Sequence, residues 1–180
     1  GNLVVTNGNY INTLLATGNI TYGQSTVLYA PNHANVNLVC NSVFGMPTNL
    51  CSSSTTFVPA GIANIALLAG SCTDDSSVQS CQSNYTGGNI TTTASAKIYG
   101  NVIAGNILKT GGSSTISGSI LAAALGDVGS GSHLKNSTTI DFNGLDDDKT
   151  TIILPGDGDD EEAPSSGSSD KAKIRWARYI

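Results

Sequence analysis

The chain has 180 residues, a net charge of −5 and a pI near 4.6, and only 12% of its residues are charged. Eight Lys and Arg are too few to build the basic face that a phosphate backbone requires, so nucleic acid is excluded as a partner. No apolar run approaches the roughly 18 residues that span a bilayer, and 39% hydrophobic content at low charge excludes wholesale disorder.

Residues 1–40 hold short β-prone pieces: Leu3-Val4-Val5, Tyr10-Ile11, Leu14-Leu15, Ile20 and Val27-Leu28-Tyr29. Asn7-Gly8, Gly18-Asn19 and Gly23-Gln24 are turn signals between them. Asn35-Val36-Asn37-Leu38-Val39 alternates as a half-buried strand does. Residues 41–84 break the pattern and read as an insertion lying against the body. Within it, the run from Pro59 through Ile62, Ile65 and Ala66 to Ala69 reads as a helix, with Pro59 suited to a first turn. A buried strand over residues 65–68 is the rival reading. Thr73-Asp74-Asp75-Ser76-Ser77 reads as an exposed loop.

Residues 85–142 organise the chain. Apolar pairs recur at Val102-Ile103, Ile107-Leu108 and Ile120-Leu121, punctuated by Gly, Asn and Ser. A Gly-Asn/Ser-Ile phrase occurs at Gly88-Asn89-Ile90, Gly105-Asn106-Ile107 and Gly118-Ser119-Ile120. That spacing is roughly one coil of a solenoid, in which each repeat buries its apolar face only against its neighbours. The fold expected is therefore all-β: a short parallel β-helix or β-solenoid. Asp146-Asp147-Asp148 then precedes a strand at Thr150-Thr151-Ile152-Ile153-Leu154. Residues 155–170 read as a flexible acidic loop. Residues 172–180 alternate, with Ile174, Trp176 and Ile180 on one face, and read as a strand that closes an edge. The whole, residues 1–180, is expected to be a single domain.

The four cysteines, Cys40, Cys51, Cys72 and Cys81, fall in two close pairs without C-x-x-C spacing. Each pair closes a loop of roughly ten residues, worth about 2–3 kcal/mol as a disulfide in a chain-entropy treatment. Cys40–Cys51 with Cys72–Cys81 is favoured over the other connectivities and over free thiols. It implies an extracytoplasmic location.

Groups that could carry chemistry are sparse. Asp157, Asp159, Asp160 and Glu161 are candidate calcium ligands, because oxygen-rich loops hold calcium. They lack EF-hand spacing and read first as a solvated acidic run. His33 and His133 lie far apart in turn contexts, and no G-x-S-x-G nucleophile elbow occurs. Glycoside hydrolysis needs two carboxyls flanking a bond. Only Asp127 and Asp141 fall within the organising stretch, so no enzyme and no cofactor is expected. The threonine clusters at Thr91-Thr92-Thr93 and Thr138-Thr139 are too irregular for a flat ice-ordering face.

One resemblance rests on the last third of the chain. Gly118-Ser119-Ile120-Leu121-Ala122, then Ser137-Thr138-Thr139-Ile140-Asp141-Phe142, Leu145, the acidic loop and Ile174-Arg175-Trp176 are similar to the ending of PilX-type accessory proteins of type IV pili. The resemblance implies structural roles for Ile140, Phe142 and Trp176. It also implies a structural or adhesive component of a bacterial surface appendage, outside the cytoplasm. Its partners would be other pilus or surface proteins, with a host or surface glycan as a further contact. Any membrane attachment would run through an amino-terminal anchor. A carbohydrate-active or carbohydrate-binding β-helix protein is the alternative.

Overall fold

Triplets of Val, Ile, Leu, Thr and Tyr bounded by small turn residues can form only very short strands, and the chain uses them by pairing each with a triplet from a later pass. A computed structural model describes residues 1–40, 51–57, 61–74, 76–125, 133–134 and 137–141. The first pass contributes β1 (Leu3–Val5), β2 (Asn9–Ile11) and β3 (Leu14–Ala16). The second contributes β4 (Ile20–Tyr22) and β5 (Val27–Tyr29). A first excursion follows, with a 3-10 turn (Pro31–His33), α1 (Val36–Val39), the antiparallel pair β6 (Cys51–Ser53) and β7 (Thr56–Phe57), and a second 3-10 turn (Gly61–Asn64). The chain then rejoins the body as β8 (Ile65–Ala69). A second excursion holds β9 (Ser71–Cys72), α2 (Val78–Ser83) and β10 (Tyr85–Thr86). The third pass is β11 (Ile90–Thr92), β12 (Lys97–Tyr99) and β13 (Asn101–Ala104). The fourth is β14 (Leu108–Lys109), β15 (Thr115–Ser117) and β16 (Ile120–Ala122), and β17 (Thr139–Asp141) adds a last edge.

These strands form three parallel sheets, each taking one strand per pass. The first sheet runs β1-β4-β11-β14, the second β2-β5-β12-β15-β17, and the third β3-β8-β13-β16. Equivalent residues are 17 apart across the first two passes (Asn2 and Asn19) and 18 apart across the third and fourth (Asn101 and Ser119). Register places like on like. The inward row of the first sheet is Leu3, Ile20, Ile90 and Leu108. That of the second is Tyr10, Leu28, Ile98, Ile116 and Ile140. That of the third is Leu14, Leu67, Val102 and Ile120. The middle members are fully buried, while Leu3, Tyr10, Leu14, Ile120 and Ile140 at the two ends are only partly covered. Among the described residues these five lie in strands with a neighbour on one side only, whereas Leu108 in the end strand β14 is fully buried.

The corners explain the small residues. Between the first and second sheets, Ser25, Ser95, Ser113 and Ser137 each adopt a left-handed backbone, with φ of 51°, 62°, 58° and 68°. Ser25, Ser95 and Ser113 each stand immediately before a residue whose carbonyl accepts from the next pass: Lys97 N–H donates to Thr26 O, Thr115 N–H to Ala96 O and Thr139 N–H to Ser114 O; Ser137 stands two residues before β17. Between the third and first sheets, Asn2 Oδ1 accepts from Asn19 N–H at 2.8 Å and Asn19 Oδ1 from Asn89 N–H at 3.0 Å. Between the second and third, Asn101 Oδ1 accepts from Ser119 N–H at 2.8 Å. Asparagine at a corner thus satisfies the next pass's backbone donor, which would otherwise be left wanting. Gly118, at φ 154°, would place a Cβ 2.3 Å from Gly100 O, so the same corner is too close for a side chain.

Three expectations are corrected. Val36–Val39 is a helical turn, not a strand: the Asn35 side chain accepts from Asn37 N–H and caps it. The Pro59-to-Ala69 run is not one helix. Its second half is β8, the buried-strand reading, because β8 lies between β3 and β13 with all but Leu68 of its five residues buried, and so apolar a strand shows no period to tell it from a helix. Finally, Gly118-Ser119-Ile120 is not the next repeat of Gly105-Asn106-Ile107. Ile120 pairs with Val102 in the third sheet, whereas Leu108 pairs with Ile90 in the first. The stretch 41–84 is likewise divided by β8, and its flanks form the two excursions. Thr73, Asp74, Ser76 and Ser77 are exposed, as read. Phe142, Trp176, the strands read at 150–154 and 172–180, and the acidic loop lie outside the described residues.

Four substitutions, at Ser95, Ile98 and Leu15, test this architecture in urea melts. Ser95 is exposed, so Ser95→Val acts through the backbone alone and should cost about 1–2 kcal/mol, while Ser95→Gly should not lower stability. Ile98→Ala, in the inward row, should cost about 2–5 kcal/mol, whereas Leu15→Ala on the outer surface should stay within about 0.5 kcal/mol.

Candidate functional site

With the inward rows committed to the core, recognition among the described residues falls to the outward rows and the excursions. In the first sheet the outward row is Val4, Thr21, Thr91 and Lys109, and Thr92 is buried, so the threonines do not make one continuous face. In the third sheet it is entirely aliphatic: Leu15, Leu68, Ile103 and Leu121. The second sheet carries the most varied outer face. One row reads Asn9, Val27, Lys97, Thr115 and Thr139, and the other Ile11, Tyr29, Tyr99, Ser117 and Asp141.

Tyr29 and Tyr99 stack with ring centroids 4.4 Å apart and planes within 4° of parallel. Parallel strands in register bring them to stacking distance without any special turn, since neighbouring strands lie about 4.8 Å apart. Burial raises the Tyr29 phenol pKa above its ordinary value, and Tyr99 adds to the rise. Beside this pair lies an open groove of about 500 Å³ lined by Asn9, Tyr10, Ile11, Val27, Tyr29, Ala34, Asn35 and Leu38. The first excursion supplies its wall. Asn35 starts α1 and sets Leu38 on the rim, and Cys40, buried at the end of α1, is bonded to Cys51. The excursion is held to the body by Thr13 Oγ1 donating to Ile62 O at 3.2 Å, and closed on itself by Asn32 Nδ2 donating to Asn64 Oδ1 at 2.8 Å.

The second excursion is fastened differently. Cys72 is bonded to Cys81, and β9 pairs with β10. The Tyr85 hydroxyl donates to Ala69 O at 3.3 Å, and burial raises its pKa. A Cβ on Gly105 would fall within 1.4 Å of that hydroxyl oxygen, so Gly105 is what lets the phenol lie on the stack. Asp74 accepts from Ser76 N–H at 3.0 Å, and hydrogen bonds from the Ser76 side chain and backbone hold its carboxyl below the usual range.

Both expected disulfides are present, with Cα atoms 5.6 Å apart for Cys40–Cys51 and 5.1 Å for Cys72–Cys81. They mark a chain suited to an oxidising, extracytoplasmic compartment. Ile140 sits in β17 and pairs with Ile116. Asp157, Asp159, Asp160, Glu161, Phe142 and Trp176 lie outside the described residues. Among the described residues no group of three His, Cys, Asp or Glu could hold a metal, and no helix is long and apolar enough to cross a membrane. His133 extends the first sheet by a single bridge to Lys109, and His33 belongs to the first excursion.

Sequence reasoning missed the Tyr pair and the corner serines. Ser25-Thr26-Val27, Ser95-Ala96-Lys97, Ser113-Ser114-Thr115 and Ser137-Thr138-Thr139 are one repeated phrase, serine then a small residue then a strand. Aligning on it would have set Val27-Leu28-Tyr29 beside Lys97-Ile98-Tyr99 and disclosed the stack. The chain matches no protein-family model, no curated protein and no solved structure.

The buried phenols make stability sensitive to alkali. Tyr22 is fully buried, its hydroxyl donates to Lys97 O at 3.2 Å, and burial, then the nearby Tyr10, raise its pKa strongly. The folded state therefore holds this proton more tightly than the unfolded chain. Its stabilisation is complete below the unfolded value near about pH 10 and is lost as pH rises toward the folded one. Thermal melts from about pH 8 to about pH 12 should show Tm falling over the upper half of that range, and the fall should be smaller in Tyr22→Phe.

Proposed function

We propose that the chain is a short three-sided parallel β-helix with two disulfide-stapled excursions, and that it serves as a structural or adhesive component of a bacterial cell-surface appendage of the type IV pilus kind. The observation that carries this reading is the parallel stacking of short strands from successive passes in all three sheets, with one register shift, between Asn101 and Val102 where β13 meets β8. Backbone hydrogen bonds of 2.7–3.0 Å run along the stack at its corners as well as its faces, for example Ala30 N–H to Tyr99 O and Gly105 N–H to Ala69 O. Such a body resists bending because every pass is tied to the next. Two disulfides fix the excursions where chaperones and reducing power are scarce. Function would then be presentation: a stiff support that holds its outer faces toward other pilus or surface proteins. The resemblance of the last third to PilX-type proteins supports the same reading.

A second reading, glycan binding, is favoured by the outer face of the second sheet. A stacked tyrosine pair beside a groove bearing Asn9 and Asn35 offers the mixture of flat apolar surface and amide groups that sugars require. The two readings are compatible, since an adhesive appendage can hold a sugar. A carbohydrate-active enzyme on the same scaffold is the remaining alternative.

Immunogold labelling of the source cells, with antibody raised against residues 1–125, tests the location. Label on the cell surface or along filaments is the expected outcome, reduced by shearing of surface appendages. Label confined to the cytoplasm would sink the appendage reading.

A further inference from the structure

The stacked tyrosines have a consequence on their far side. Two nearly parallel rings 4.4 Å apart, carried by neighbouring strands, must face each other along the direction in which the strands succeed one another. The face of Tyr99 turned away from Tyr29 therefore looks toward β15. There the residue in register is Ser117, whose side chain is too short to cover a ring. The next residue in the same row is Asp141 on β17. The strand spacing puts the Tyr99 and Asp141 positions about 9.6 Å apart, with Ser117 as the floor between them. Lys97, Thr115 and Thr139 form the parallel row alongside, on the same outer face. Tyr99, Ser117 and Asp141 are half-exposed, and Lys97 and Thr139 are exposed.

We propose that this notch binds one neutral pyranose ring, inserted edge-on between Tyr99 and Asp141. The proposal rests on the glycan-binding reading above and gives it a site and a ligand class. A ring held at van der Waals distance from Tyr99, about 3.5–4.0 Å, lies over Ser117 and leaves its far side within reach of Asp141. Among the described residues the notch has one apolar wall, three hydroxyls, one carboxylate and, alongside, one ammonium. A pyranose matches that division, with C–H bonds on its faces and hydroxyls around its rim. The carboxylate accepts from two sugar hydroxyls, while Ser117, Thr115 and Thr139 both donate and accept. The Asp141 carboxylate repels a second anion, so the notch favours a neutral sugar over a uronate. Because the ring lies across the stack, a terminal or branching sugar enters more readily than the middle of a chain running along the sheet.

The test is titration of the full 180-residue chain with methyl α- and β-pyranosides of glucose, galactose, mannose and N-acetylglucosamine, read by backbone amide shifts. At least one should give saturable shifts centred on Tyr99, Ser117 and Asp141. Ser117→Tyr extends the tyrosine stack and fills the notch, so it should weaken that binding at least about tenfold while Tm is retained. Asp141→Asn, which keeps shape and removes charge, should weaken it as well. If a pyranoside binds but shifts Asn9, Ile11 and Leu38 instead, and Ser117→Tyr binds it unchanged, the notch is overturned and the glycan reading stands. If none gives a saturable shift anywhere on the chain, the notch and the glycan reading fail together.

Discussion

The structure depends on backbone hydrogen bonding between strands too short to stand alone. A triplet such as Ile90–Thr92 has almost no independent tendency to persist, and a two-stranded pair of such pieces would be marginal. Here each inner triplet is held by a partner on both sides, with Ile20 on one flank of Ile90 and Leu108 on the other. The pairing also aligns side chains. Once one residue of a pass faces inward, the equivalent residue of the next pass does so too, and a slip by one would turn a whole row outward. The apolar rows of Ile, Leu and Val are the result. Their incomplete cover at Leu3, Tyr10 and Leu14 shows that the stabilising unit is the neighbouring pass rather than any one strand.

Corners are where this scheme meets its main obstacle. The chain must turn between sheets every few residues without leaving donors unmet or side chains in collision. Three solutions appear, one at each corner: a left-handed serine, an asparagine whose amide oxygen serves the next pass, and an asparagine–glycine pair where backbones touch. The column of serines is notable because serine is not the cheapest residue there. A left-handed backbone costs a non-glycine residue about 1–2 kcal/mol. Pairing on both sides of each corner outweighs that cost. Where an excursion leaves the stack, a covalent bond and a few specific hydrogen bonds take over. Cys40–Cys51 holds the first, and Cys72–Cys81 with the Tyr85 hydroxyl holds the second.

The outer rows are released from these demands, so their differences carry information about role. The third sheet turns an aliphatic row outward, the first a mixed one, and the second an aromatic and polar array beside a walled groove. The tyrosine stack arises because the same register that builds the core also aligns whatever faces away from it. The aromatic array proposed to bind is thus produced by a feature required for folding. The proposed function follows that logic: a stiff body whose faces, rather than a reaction centre, make contact with other molecules.

Much of the β character was legible from residues alone. Gly, Asn and Ser punctuation announced short strands, paired cysteines announced two local disulfides, and the recurring Gly-Asn-Ile phrase announced repetition. The register was not legible, because phrases from different corners look alike: Gly105-Asn106-Ile107 leads into the first sheet and Gly118-Ser119-Ile120 into the third. Nor was the role of residues 65–69, since a strand apolar at every position has no alternation to betray it. Composition and local spacing by themselves determined that the chain would be built of short strands, tight turns and two small covalent loops, because those are properties of neighbouring residues. Which strand lies beside which, and therefore that Tyr99 stacks on Tyr29 and overlooks Ser117, was decided only by the tertiary structure, because residues 70 apart in sequence are brought into contact solely by the pairing of complete passes.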